Sequence, residues 1–201
     1  MSGIKKDSGL KSKDVITLGI FSLLYAVVLF AFAAAMGMFP ITFIFYATLG
    51  AIPCGVIYMY VVTKIPKPGA IVIMTAVISG IYFLIGTYGA APLYGVAGGV
   101  LAELVSYSGK YKSFWKNTTG YIIYTASLWF GFMSPMVLAT DAYIKQALAG
   151  GYAQDYITGM VNFINGPLFF VALAGTAAGG LFGALFGRKM LKKHFEKAGI
   201  I

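Results

Sequence analysis

The chain is short of charge, cysteine and histidine, and each shortage closes off a class of function. Only 10% of its 201 residues are charged, where soluble domains carry about 25%. The formal charge is +9, yet this little polar surface cannot make a nucleic-acid recognition face, and no nucleic-acid partner is expected. Cys54 is the lone cysteine, so no intrachain disulfide or cysteine-rich metal site can form. His194 is the lone histidine and lies in a basic C-terminal tail, leaving no Ser/His pair for covalent catalysis. The motifs G-x-x-x-x-G-K-[ST], G-x-G-x-x-G and H-E-x-x-H are missing too. The reading is of a protein that is not an enzyme and has no cofactor and no metal.

Apolar residues are what the chain has in excess, at 59%, with 26 glycines and 16 phenylalanines. They fall into six stretches: Val15–Met38, Ile41–Thr63, Ala70–Gly86, Pro92–Ser108, Thr118–Ala139 and Phe163–Gly187. A helix needs about 20 residues, within a range of roughly 17–25, to cross the hydrocarbon core, and all six qualify. The alternating pattern of about ten residues that marks barrel strands is absent. The expected fold is therefore all-α, a single integral membrane domain of six transmembrane helices. Ala33-x-Ala35 resembles a leader cleavage site, but the run before it exceeds the about 7–15 residues of a leader's apolar region, so the first stretch is read as a retained span.

The bases set an orientation. Lys5, Lys6, Lys11 and Lys13 precede the first stretch; Lys64 and Lys67 follow the second; Lys110, Lys112 and Lys116 follow the fourth; Arg188, Lys189, Lys192, Lys193 and Lys197 follow the sixth. Only Lys145 lies in another gap. The side holding the other fourteen should be the cytoplasm, with both termini inside and the protein multi-pass in the plasma membrane. The second, fourth and sixth stretches then begin at the outer face, where their partial positive ends favour an anion.

Small residues recur at helical spacing. Gly175, Gly179, Gly183 and Gly187 follow one another four apart, as do Gly95 and Gly99, and Ala31 and Ala35. Such faces let helix backbones approach closely in lipid, within one bundle or against a partner. Pro53 and Pro135 fall inside apolar stretches and should bend them; Pro92 and Pro167 fall at helix starts, where proline is tolerated.

Two sets of residues could carry chemistry. Glu103 is the one carboxylate inside a span, which makes it a candidate proton relay, a coupling residue, or a glutamate that snorkels or pairs with lysine. At the outer ends lie Tyr88, Tyr94, Trp129, Phe132, Ser134, Tyr143, Tyr152, Asn162 and Asn165. They form either an interfacial aromatic belt or a small-molecule pocket around the long segment Thr140–Asn162. Tyr88, Tyr94, Trp129, Ser134, Asn162 and Asn165 are the candidate substrate contacts.

Six spans in about 200 residues, a basic N-terminus and an alanine-rich first helix resemble the S component of an energy-coupling factor (ECF) transporter, within its Trep_Strep group. The likeness covers the whole chain. It implies an outward pocket for a vitamin or other micronutrient, built from the outer halves of the later helices. It also implies partners: a transmembrane coupling subunit contacted through Ala31 and Ala35, and two ATPase subunits that supply the missing nucleotide motif. The alternative is a stand-alone secondary transporter or channel that depends on Glu103.

Overall fold

The computed structural model describes residues 9–85, 91–192 and 196–197. Among them there is no strand. Six helices of fifteen residues or more make the bundle: α1 (Ser12–Met36), α3 (Tyr46–Lys64), α4 (Ala70–Leu84), α5 (Ala91–Ser108), α6 (Phe114–Met133) and α10 (Leu168–Met190). Four short ones, α2 (Pro40–Ile44), α7 (Pro135–Leu138), α8 (Thr140–Ala149) and α9 (Gln154–Ile164), gather at one end. By length and composition α1, α3 and α10 can each cross a membrane, and α4 is a shorter apolar helix.

α3 is the hub, packing against α1, α6 and α10. Its seam with α10 is a backbone contact. A Cβ on Gly55 would lie 2.3 Å from the Gly183 backbone, one on Gly183 2.3 Å from Ala51 O, and one on Gly179 2.1 Å from Thr48 O. The glycine stripe of α10 is thus spent inside the bundle. α5 is wedged in the same way between α4 and α6, because a Cβ on Gly99 would meet Thr75 at 2.2 Å and one on Gly98 would meet Ser127 at 1.9 Å. With dispersion as the main force between helices in lipid, this closeness is where the bundle gains its cohesion.

Aromatic rings fill the remaining space. Tyr58 lies 4.7 Å from Tyr121 and 5.1 Å from Tyr124, and Tyr124 meets Tyr25 edge-on at 5.5 Å. Nearer the short helices Phe132 touches Phe43, Tyr46 and Tyr82.

Side-chain contacts collect the basic segments at one end. Lys67 pairs with Asp14 at 2.6 Å, joining the start of α1 to the α3–α4 turn. Arg188 lies 4.6 Å over the Phe114 ring, joining the end of α10 to the start of α6.

The elements differ from the six apolar stretches in four places, one being the sixth stretch, whose Phe163 and Ile164 end α9 while α10 starts only at Leu168. The second stretch is divided at Phe45 into α2 and α3, while Pro53 is carried inside α3 without ending it. The fifth ends early: Pro135 has no N–H for the Gly131 carbonyl, α6 stops at Met133, and α7 restarts with the proline in its first turn, where a missing donor costs nothing. The segment Thr140–Asn162, expected as a loop, is almost wholly helical in α8 and α9.

Candidate functional site

Two helix breaks fall at the end away from the Lys and Arg clusters, and a groove forms between them. α6 gives way to α7 at Ser134, and α9 gives way to α10 through Asn165, Gly166 and Pro167. These two corners face each other across a cavity of about 220 Å³ lined by Phe130, Ser134, Val137, Leu138, Ile164, Asn165, Gly166, Phe169 and Phe170. Its walls are apolar and its polar groups few. Ser134 is 1% exposed, and its Oγ has no hydrogen-bond partner. Asn165 Nδ2 donates to Met136 O at 3.1 Å and Val161 O at 3.0 Å, which locks the two corners together. No side chain caps the first turn of α10.

The five described candidate contacts separate in space. Ser134 and Asn165 come together in the groove. Tyr94 meets Phe130 edge-on at 5.3 Å, at the margin. Trp129 is buried behind the wall, 5.3 Å from Phe169, and donates from Nε1 to Ile44 O at 2.9 Å, so it ties α6 to α2. Asn162 is exposed on α9 and does not line the groove. Tyr88 and His194 lie outside the described residues. Sequence reasoning missed Phe130, Phe169 and Phe170. The signal for them was Pro135 and Pro167, which mark where α6 ends and α10 begins.

α9 closes the same end over α2. Tyr156 Oη donates to Gly37 O at 2.8 Å, and Gly159 sits against Pro40. Partial burial raises the Tyr156 phenol above its ordinary range, so it remains a donor there.

Glu103 is at the opposite end, buried rather than snorkelling, and among the described residues no lysine pairs with it. Its Oε2 accepts from the N–H groups of Ile71 at 2.8 Å and Val72 at 3.3 Å, and its Oε1 accepts from Tyr111 Oη. α4 begins after Gly69, at φ 92°, which has no side chain to cap the helix. Glu103 supplies that cap from α5, and a carboxylate also suits the positive end of the α4 dipole. Tyr111 reaches it from a left-handed backbone (φ 59°) whose carbonyl is held by Asn117 Nδ2 at 2.9 Å. Burial, and then the bond to Glu103, push the Tyr111 phenol well above its usual range, which fixes it as the donor.

Ala31 and Ala35 are both exposed, on a face of α1 that also shows Ile20, Leu24 and Val27. Among the described residues no group of three or more His, Cys, Asp or Glu is placed to hold a metal ion.

Long apolar helices joined backbone to backbone, with a recess at one end and a capped carboxylate at the other, define an integral membrane protein of the helical-bundle class. The sequence profile of a family described as hypothetical bacterial integral membrane protein (Trep_Strep) matches residues 12–197, and the chain belongs to that family. No curated protein and no solved structure matches it.

Proposed function

We propose that this chain is the substrate-capture subunit, the S component, of an ECF-type ABC importer for a vitamin or other micronutrient. In this reading all six long helices span the plasma membrane, both termini lie in the cytoplasm, and the groove beside Ser134 and Asn165 faces outward. A transmembrane coupling subunit seats on the α1 face around Ala31 and Ala35, and two ATPase subunits supply the energy. The observation that carries the proposal is the unlike construction of the two ends. The lysine-bearing end is sealed by a buried carboxylate bonded on both oxygens, whereas the other end holds the recess and four short helices. Such a molecule takes its cargo from the side opposite the lysine clusters, the side that carries Lys145 alone of the fifteen bases, and under the positive-inside rule that side is the exterior.

Purification of the tagged chain from its native membrane tests this. The expected result is co-purification of a coupling subunit and ATPases, lost in the Ala31→Trp/Ala35→Trp double variant. Recovery of the chain without any ATPase would contradict the proposal. A stand-alone carrier driven through Glu103 is disfavoured, because that carboxylate is occupied as a helix cap. Uptake by the isolated chain in liposomes, abolished by Glu103→Gln in protein that still folds, would revive it.

A further inference from the structure

The geometry points to a carboxylate on an apolar body as the chemical class that the groove accepts, a deepening that rests on reading the groove as the capture site. Two independent features present donors there. The first turn of α10, a helix of 23 residues, adjoins the groove through Phe169 and Phe170 and has no side-chain cap. Ser134, across the groove, carries a hydroxyl that is buried and unpartnered. The Asn165 amide nitrogen between them is already committed to backbone carbonyls. No lining residue is charged. Pro167 has no N–H and the Phe169 N–H is taken by Gly166 O at 3.2 Å, so the Ser134 hydroxyl and the rest of the α10 first turn are what select here; they favour a group that accepts without donating, and the helix dipole favours a negative one. A protonated amine would meet the positive end of α10 with no carboxylate among the lining residues to offset it.

The rest of the molecule must be apolar and larger than the groove. Its walls are Phe130, Phe169 and Phe170, and about 220 Å³ falls short of the roughly 300–1,000 Å³ that enclose a whole ligand. The lip continues as apolar surface, with Leu138 65% and Phe170 72% exposed. The acid head is held inside, and the body runs out over that lip.

Trp129 makes this measurable, because its ring backs Phe169 and cis-parinaric acid accepts energy from indole. The full chain carrying Trp115→Phe, which removes the other indole at the far end of α6, is placed in phosphatidylcholine nanodiscs. It is titrated with cis-parinaric acid and with its methyl ester. Saturable quenching of Trp129 by the acid, about tenfold tighter than by the ester, is expected, the worth of one charge-assisted contact. Ser134→Ala should weaken the acid several-fold and the ester less, since a neutral carbonyl makes the weaker bond to the same hydroxyl. Leu138→Glu, at an exposed position that burdens folding little, should do the same by repulsion at the lip. Displacement by laurate alone marks a membrane-borne acid as the source, and displacement by benzoate marks a soluble aromatic acid; either retains the carboxylate. Equal, non-saturating quenching by acid and ester, or an acid response indifferent to Leu138→Glu, overturns the inference. If that happens while ATPases still co-purify, the capture reading stands and only the ligand class falls. Acid binding without any ATPase partner sinks the capture reading instead.

Discussion

At the lysine-bearing end of the bundle a single carboxylate satisfies two backbone donors and a phenol, all from segments it meets only in the folded state. At the other end, short helices rest on one another through isolated neutral bonds such as Tyr156 to Gly37 and Asn165 to Met136. A charged acceptor removed from water makes bonds about twice as strong as neutral ones, and losing it strands every donor it served. A neutral bond at an edge can be exchanged for water at little cost. The two ends of the same chain are therefore held by bonds of unequal strength.

The largest perturbation attacks the seam that both ends share. Gly55→Val would drive side-chain atoms into the Gly183 backbone, which cannot yield, and loss of folded protein on size-exclusion chromatography is expected. Next is Glu103→Ala, which leaves the N–H groups of Ile71 and Val72 and the Tyr111 hydroxyl without their acceptor. A cost of roughly 3 kcal/mol or more is expected, with Glu103→Gln near half of that because one oxygen remains. Cys54, 0% exposed and the only thiol, reports the change through its reaction with a maleimide dye during heating. Tyr156→Phe should cost about 1 kcal/mol, and its effect should stay local: faster proteolysis between α8 and α9 with an unchanged melting temperature. Lys67→Ala should have the smallest effect, since its ion pair with Asp14 is only partly buried, at 25% and 16% side-chain exposure, and water can replace it at modest cost. An effect of Tyr156→Phe larger than that of Glu103→Ala would reverse the comparison.

The six-helix frame was legible because long apolar runs announce themselves in any order of packing. Which faces meet was less so. The stripe Gly175, Gly179, Gly183 and Gly187 marks a close approach but not its partner, and that partner is α3 through Thr48, Ala51 and Gly55. α8 and α9 escaped notice because their apolar residues, though six of ten and six of eleven, come in short groups broken by polar ones rather than in a continuous run. Residues such as Tyr143, Ala147, Ile157 and Val161 form a small core only once the two helices lie together. Glu103 was visible as an oddity, but its role was not, since the donors it caps are backbone groups 31 and 32 residues away. Of the proposed contacts, Ser134 and Asn165 converge because each lies within two residues of a proline at a helix boundary, and Asn165 Nδ2 bonds Met136 O across the gap. Trp129 does not join them, since an indole N–H buried in apolar surroundings is drawn to the nearest open carbonyl, that of Ile44.

Hydrogen–deuterium exchange of the full chain in nanodiscs tests the contrast between the ends most directly. Amides of residues 70–75, under the Glu103 cap, should exchange at least about tenfold more slowly than those of residues 140–164, a gap of roughly 1.4 kcal/mol in opening free energy. Glu103→Ala should abolish that gap by releasing the first segment alone. Equal protection at both ends, or faster exchange at the start of α4, would contradict the account.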